Sequence, residues 1–389
     1  MANQAILRIG REISQLQQGT DLSCQEEDIR HVKAMIIGPA GTPYEFGFFE
    51  FTIEFPKDYP ASPPKVESVT TNGGRCRFNP NIYACGKIYS RIYHESIRIS
   101  VIQRLEDALG IQTDGTVASP SNKWSDEMDE DEDGKPPFEP FRDLCKRRFL
   151  WYYESYMNII KEQDGKTTVG TRFERMPFEG SGNSMEGRFN YPELKKRLTL
   201  IRDVIMKETD SWAAEGLKAK ANDTRISVSL QRQYEQIVED LKAKNNFTID
   251  ISLDNSNPFV WQLTYFGRPM THLDGGIFRI KICLSPHFPE EQPRVLVQTS
   301  LFHHRVSKDG TLCYFCRKTE DMKSHVEAIV GALEDESPRY DPRATVNPEA
   351  SKLFWGSPEQ KKQYNRLLRR SAQRSIEYVE SRNNMNRLT

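Results

Sequence analysis

The chain repeats itself. At a constant offset of 229 residues, Gly47 meets Gly276, Phe49 meets Phe278, Pro60 meets Pro289 and Val66 meets Val295. In the first copy Phe49, Phe51, Ile53 and Phe55 alternate with Glu50, Thr52 and Glu54. In the second, Phe278, Ile280, Ile282 and Leu284 alternate with Arg279, Lys281 and Cys283. A period of two is the mark of a half-buried strand. Each strand ends at a proline cluster, Pro56 to Pro64 and Pro289 to Pro293. Proline has no N–H to give, so the ladder stops there. Each then restarts at a basic residue and a valine, Lys65-Val66 and Arg294-Val295. Two copies of about 150 residues are too long for a solenoid repeat and imply tandem domains.

Other elements follow from periodicity. Ile6, Ile9, Ile13 and Leu16 line one face of a helix over 5–17, and Leu230, Tyr234, Ile237, Val238 and Leu241 do the same in the second copy. Strands are expected at His31–Ile37, Phe247–Leu253 and Val260–Tyr265, with glycine turns at Gly38 and Gly267. The predicted class is α+β, each domain a four-stranded antiparallel meander sheet with flanking helices. Ile99, Val101, Ile102, Leu105 and Leu109 predict a helix after Tyr89. Phe149 to Tyr156 forms an aromatic cluster on another, expected to be core. A further helix opens at Asn190-Tyr191-Pro192 and is expected to run to about Glu208. The run from Ser125 to Asp133 carries a block of like charge: a solvated loop, or a docking site for a basic partner.

Composition excludes several classes. A net charge of −1 gives no global attraction to nucleic acid or an anionic membrane. No apolar run approaches the roughly 18 residues of a membrane span, and no signal-peptide core follows Met1. Seven scattered cysteines suit a reducing compartment, so cytoplasm or nucleus is expected.

Two stretches carry the chemistry. Arg77-Phe-Asn-Pro-Asn-Ile-Tyr-Ala-Cys-Gly-Lys-Ile-Tyr89 and Leu301-Phe-His-His-Arg-Val-Ser-Lys-Asp-Gly-Thr-Leu-Cys313 share one layout. Phe78 pairs with Phe302, Gly86 with Gly310 and Ile88 with Leu312, but Tyr89 stands where Cys313 does. With Pro43-Tyr44, Gly47, Phe49, Phe55-Pro56, Tyr59-Pro60 and Pro63-Pro64-Lys65-Val66, these residues resemble the ubiquitin-conjugating (UBC) family. The insertion Thr71 to Cys76, Asn79-Pro80-Asn81 and the later helices resemble its long Z-type members. The resemblance implies a catalytic cysteine eight residues after the Asn of a His-Pro-Asn loop.

In the first copy that position holds Tyr89, whose phenol, with a pKa of about 10, is no thioester-forming nucleophile. Cys85 falls four residues early. The first copy is therefore expected to be non-catalytic. The second copy places Cys313 correctly but replaces His-Pro-Asn by His303-His304-Arg305. The family's Asn stabilises an oxyanion, and losing one such donor lowers a rate by about two to three orders of magnitude. Arg305 would bring a cation instead, as would Lys308 and Arg317. Asp341, in Ser337-Pro-Arg-Tyr-Asp341-Pro342, resembles the family's acid beside the cleft and would orient the attacking amine. The family's Trp-Ser-Pro segment is missing from both copies. Cys313-x-x-Cys316 also fits a redox dithiol, or a zinc site recruiting His303 or His304, though neither context is complete.

The expected organisation is a UBC-like domain without the cysteine (1–110), an acidic loop and helical extension (111–222) and a second UBC-like domain (223–380). The expected catalytic set is Cys313, Asp341 and Arg305, with no cofactor and no metal. The resemblance implies as partners ubiquitin or a ubiquitin-like modifier, an activating enzyme and a ligase, with no nucleic acid and no membrane. Two functions follow. One is conjugation, with the modifier carried as a thioester on Cys313 and passed to a lysine or to a ligase. The other is a non-catalytic UBC variant that binds ubiquitin or a partner conjugating enzyme. An exposed Cys313 in a groove beside Asp341 favours the first; a buried Cys313, or a groove filled by Tyr314 or Phe315, favours the second. RING-type ligases usually meet an apolar residue after the Tyr-Pro step, where this chain has Ala61 and Glu290.

Overall fold

The computed structural model describes residues 21–25, 28–59, 61–71, 87–117, 139–173, 186–336, 341, 344 and 346–385. The helix expected over 5–17, Cys76, Cys85, the acidic run and Ser337 to Tyr340 lie outside these residues. The chain divides into two compact units: 1–146 with 157–201, and 147–156 with 202–389.

In the first unit, strands β1 (Asp21–Gln25), β2 (Asp28–Ile37), β3 (Phe48–Glu54) and β4 (Lys65–Ser68) pair antiparallel in chain order. β1 was not expected: Asp-Leu-Ser-Cys-Gln alternates, but over only five residues and with only two apolar ones. Helix α1 (Lys87–Ser96) runs through a π-helical stretch, Ile97–Gln103, into α2 (Arg104–Leu109). Ile97, Ile99, Val101, Ile102 and Leu105 are buried there, and Tyr93 with them. Glu50 is buried on β3 between two cations, 2.5 Å from Arg104 and 3.4 Å from Lys33. Removing both cations would leave a carboxylate in a dry place, a loss of several kcal/mol in comparable pairs.

The second unit follows the same plan. Helix α3 (Arg142–Asp164) supplies its segment 147–156, and α4 (Tyr191–Ala221) its segment from residue 202. Then come α5 (Arg225–Ala243), β5 (Ile249–Leu253), β6 (Val260–Phe266), β7 (Ile277–Cys283) and β8 (Arg294–Val297). These strands also pair antiparallel in chain order. The α+β class holds. Helices α6 (Met322–Glu334), α7 (Pro348–Phe354) and α8 (Pro358–Met385) complete the unit. Its core joins Leu230 and Ile237 of α5, Trp261, Leu263, Phe278, Ile280 and Ile282 of the sheet, and Ile329, Tyr364 and Leu368 of the later helices. Helix α4 runs to Ala221 rather than ending near Glu208, because no breaker intervenes before Asn222-Asp223 and buried Trp212 continues its apolar face.

The duplication extends to the turns. Gly38 N donates to Gly47 O at 2.9 Å, and Gly267 N to Gly276 O at 2.8 Å. A Cβ at Gly38 would lie 1.7 Å from Tyr44 O; at Gly267 it would lie 1.7 Å from Leu273 O. Only glycine fits either crossing.

Candidate active site

Cys313 sits on a loop fastened to the sheet edge. Gly310 has φ of +91°, and a Cβ there would meet Val297 O at 2.4 Å. The chain must therefore turn at a glycine. It then lies along β8, with Val297 N donating to Gly310 O at 2.8 Å and Leu312 N to Val295 O at 3.1 Å. Cys313 N donates to Arg305 O at 2.8 Å, which joins the loop's two limbs. Asn347, the N-cap of α7, donates through its amide to Val306 O at 3.3 Å. On the far side Tyr314 OH and His325 Nδ1 are 3.0 Å apart, and His325 Nε2 lies 3.0 Å from Thr319 O. The cysteine is thus held by rigid elements, with little freedom to swing outward.

The two histidines are packing residues in a dry site. His303 and His304 stack at 4.3 Å, and His304 stacks on Phe354 at 4.3 Å. His304 Nδ1 lies 3.0 Å from Tyr364 OH, and Arg305 N donates to His303 Nδ1 at 3.1 Å. Burial, helped by nearby Arg305, pushes the pKa of His303 down to about 3 and that of His304 lower still. Both rings are neutral at any ordinary pH.

The structure brings the three predicted site residues together. Arg305 hydrogen-bonds the Cys313 thiol through its side chain, and the Asp341 carboxylate acts on the same sulfur. Two residues that sequence reasoning missed face it as well: Arg148 and Tyr152 of α3. Arg148 is only 7% exposed, and its Nε and Nη1 have no hydrogen-bond partner. Its guanidinium lies 4.6 Å from the Trp151 ring and 5.0 Å from the Phe315 ring. Trp151 and Phe315 meet edge to face at 5.6 Å. Cys313 itself is 0% exposed. Lys308 N donates to Glu154 of the same α3 segment, and Arg202 of α4 holds Asp309 at 2.7 Å.

Electrostatics at the thiol is a contest. Burial favours the neutral thiol, Arg148 and Arg305 favour the thiolate, and Asp341 opposes it. Burial wins, and the Cys313 pKa is pushed up to about 11. Burial also raises the Tyr152 phenol well above its ordinary range. At neutral pH roughly one molecule in 10⁴ carries the thiolate, the only form that attacks a carbonyl. Cys316, the other thiol of the pair, is half-buried and also raised, chiefly by burial. Among the described residues no group of three or more His, Cys, Asp or Glu is placed to hold a metal ion. No helix among them is long and apolar enough to cross a membrane.

In the first unit Tyr89 falls within α1, so the backbone there is helical rather than the extended loop that carries Cys313.

Comparison with known proteins agrees with the repeat. The family model for ubiquitin-conjugating enzyme matches residues 8–129 and 229–369, more than half of the chain. The human protein "Ubiquitin-conjugating enzyme E2 Z" is 27% identical over 245 residues, covering 55% of this chain and 67% of that protein. Its namesake from Danio rerio is 42% identical over 258 residues, covering 52% and 69%. The human "Dual E2 ubiquitin-conjugating enzyme/E3 ubiquitin-protein ligase BIRC6" is 54% identical over 65 residues, which are 17% of this chain and 1% of that protein. With its two matched regions, its Z-type resemblance and its duplicated fold, the chain belongs to the ubiquitin-conjugating enzyme family.

Proposed function

We propose that the protein serves ubiquitin conjugation by binding, as a UBC variant that engages ubiquitin or a partner conjugating enzyme, rather than by carrying the thioester itself. The complete burial of Cys313 carries this reading. Thioester formation needs an extended C-terminal tail to reach the sulfur, and here the sulfur has no solvent-exposed surface. A thiol held near pKa 11 is mostly protonated at pH 7. The family's Asn is replaced by Arg305, and Tyr89 stands at the matching position of the first copy.

The test is binding. Isotope-labelled ubiquitin, and separately a charged conjugating enzyme, are titrated with the full chain and with Cys313→Ala. Binding of either, equal for both forms of the protein, is expected. Absence of binding to both would overturn the proposal.

The two arginines favour a second function. Arg148 and Arg305 each keep at least one guanidinium nitrogen buried without a hydrogen-bond partner, a cost that an idle core would not be expected to carry beside one sulfur. Arg305 and Arg148 would stabilise a thiolate and the oxyanion that forms on acylation. On this view Cys313 is the acceptor of a latent conjugating unit, opened when the α3 segment lifts. Asp341 would then meet the incoming amine.

A further inference from the structure

Helix α8 presents one face to the core and a very different one to solvent. Tyr364, Leu368, Ala372 and Ser375 are buried against the second unit, so the helix is fixed along this length. Opposite them Lys361, Lys362, Arg366, Arg369, Arg370 and Arg374 are all exposed. The helix's carboxylates, Glu359, Glu377 and Glu380, lie one before and two after this run of cations. The chain as a whole has a net charge of −1, so this concentration is local.

Four of the cations, Lys362, Arg366, Arg370 and Arg374, follow one another at a spacing of four residues. Like charges at that spacing oppose a helix by about 0.2–0.5 kcal/mol per pair. An ordinary solvated face alternates its signs to gain this energy rather than lose it. Arg369 is turned toward His272, 3.2 Å away, and Lys361 lies over the Phe354 ring at 5.2 Å. Lys362, Arg366, Arg370 and Arg374 have no ion-pair partner among the described residues. The exposed face along them, a shallow open groove on the helix's own surface, also carries Asn365, Leu367 and Gln373.

We propose that this face of α8 is a docking surface for a carboxylate-rich polypeptide segment in extended conformation. Four residues of helix rise about 6 Å, and alternate residues of an extended chain are about 6.6 Å apart. Acidic side chains at alternate positions of such a segment would therefore meet the stripe in register over several steps. Arginine suits the task because its planar fork binds a carboxylate through two hydrogen bonds. Asn365 and Gln373 add neutral amide groups along the same groove. Single-stranded nucleic acid fits less well, since it also needs aromatic rings on which bases stack, and the groove has none.

The experiment is fluorescence anisotropy on the full chain. The probe is a labelled sixteen-residue peptide of alternating Glu and Ser, with a twenty-nucleotide single-stranded RNA as the competing probe. Binding of the peptide is expected at 0.1 M salt. It should weaken at least tenfold in the doubly substituted protein Arg366→Glu with Arg370→Glu, and stay within twofold in Lys242→Glu, an exposed change on α5. Circular dichroism of the double variant should match that of the wild type. No peptide binding, equal loss in Lys242→Glu, or tighter binding of the RNA would each overturn the proposal.

Discussion

At the scale of the residue, Cys313 shows how burial overrides charge. Two guanidinium groups would ordinarily lower a thiol's pKa, and here they do not prevail against complete desolvation. The consequence for stability has a definite sign. The folded pKa of about 11 lies above a free thiol's ordinary value of 9.0. The protonated thiol is therefore favoured by folding. Its contribution is fully present below pH 9 and is lost as pH rises to about 11. The two-unit shift is worth about 3 kcal/mol. Chemical denaturation of wild type and Cys313→Ala at pH 8 and pH 11 should show the wild type losing about that much more. Equal losses would mean the sulfur is hydrated in solution. Gly310 makes a separate claim. Gly310→Ala forces a Cβ against Val297 O at positive φ, and should lower unfolding free energy by more than 1 kcal/mol. Urea denaturation checks it.

Cys313 and Arg305 stood out because they lie in register with a repeated motif, and Asp341 because its segment resembles one of the family's. Arg148 and Tyr152 were not. They come from a helix more than 150 residues upstream of the cysteine, and their aromatic neighbours carry the same signal as any helix core. Only the fold reveals that two of the guanidinium nitrogens of Arg148 are buried without hydrogen-bond partners.

At the scale of the element, strong periodicity and proline punctuation made β3, β4, β7 and β8 readable. β1 was hidden by its polarity, and the end of α4 by the absence of any local stop before residue 222. On the proposed reading the α3 segment that carries Arg148, Trp151 and Tyr152 controls access to Cys313. Its Trp151 ring meets Phe315, two residues from the cysteine, at 5.6 Å. Trp151→Ala removes that ring. Alkylation of Cys313 at pH 8, followed by mass spectrometry of its peptide, should then run at least tenfold faster than in the wild type. An unchanged rate would mean that α3 does not control access.

At the scale of the whole molecule, the chain matches the family twice over. In the first copy Tyr89 stands at the nucleophile's position and lies in a helix. In the second Cys313 is buried. On the proposed reading, such a chain acts through its UBC surface rather than through a covalent bond. The family was legible from the spacing of glycines, prolines and aromatics. The state of the thiol was not, because burial is a property of the assembled unit and not of any local stretch.

Thioester charging tests the central claim most directly. The full chain is mixed with activating enzyme, ATP and ubiquitin at pH 7.5 and resolved on a gel without reductant, beside Cys313→Ala and Cys85→Ala. No reductant-sensitive band is predicted for any of the three proteins. A band present in the wild type and in Cys85→Ala but lost in Cys313→Ala would contradict the account and establish the second domain as a conjugating enzyme.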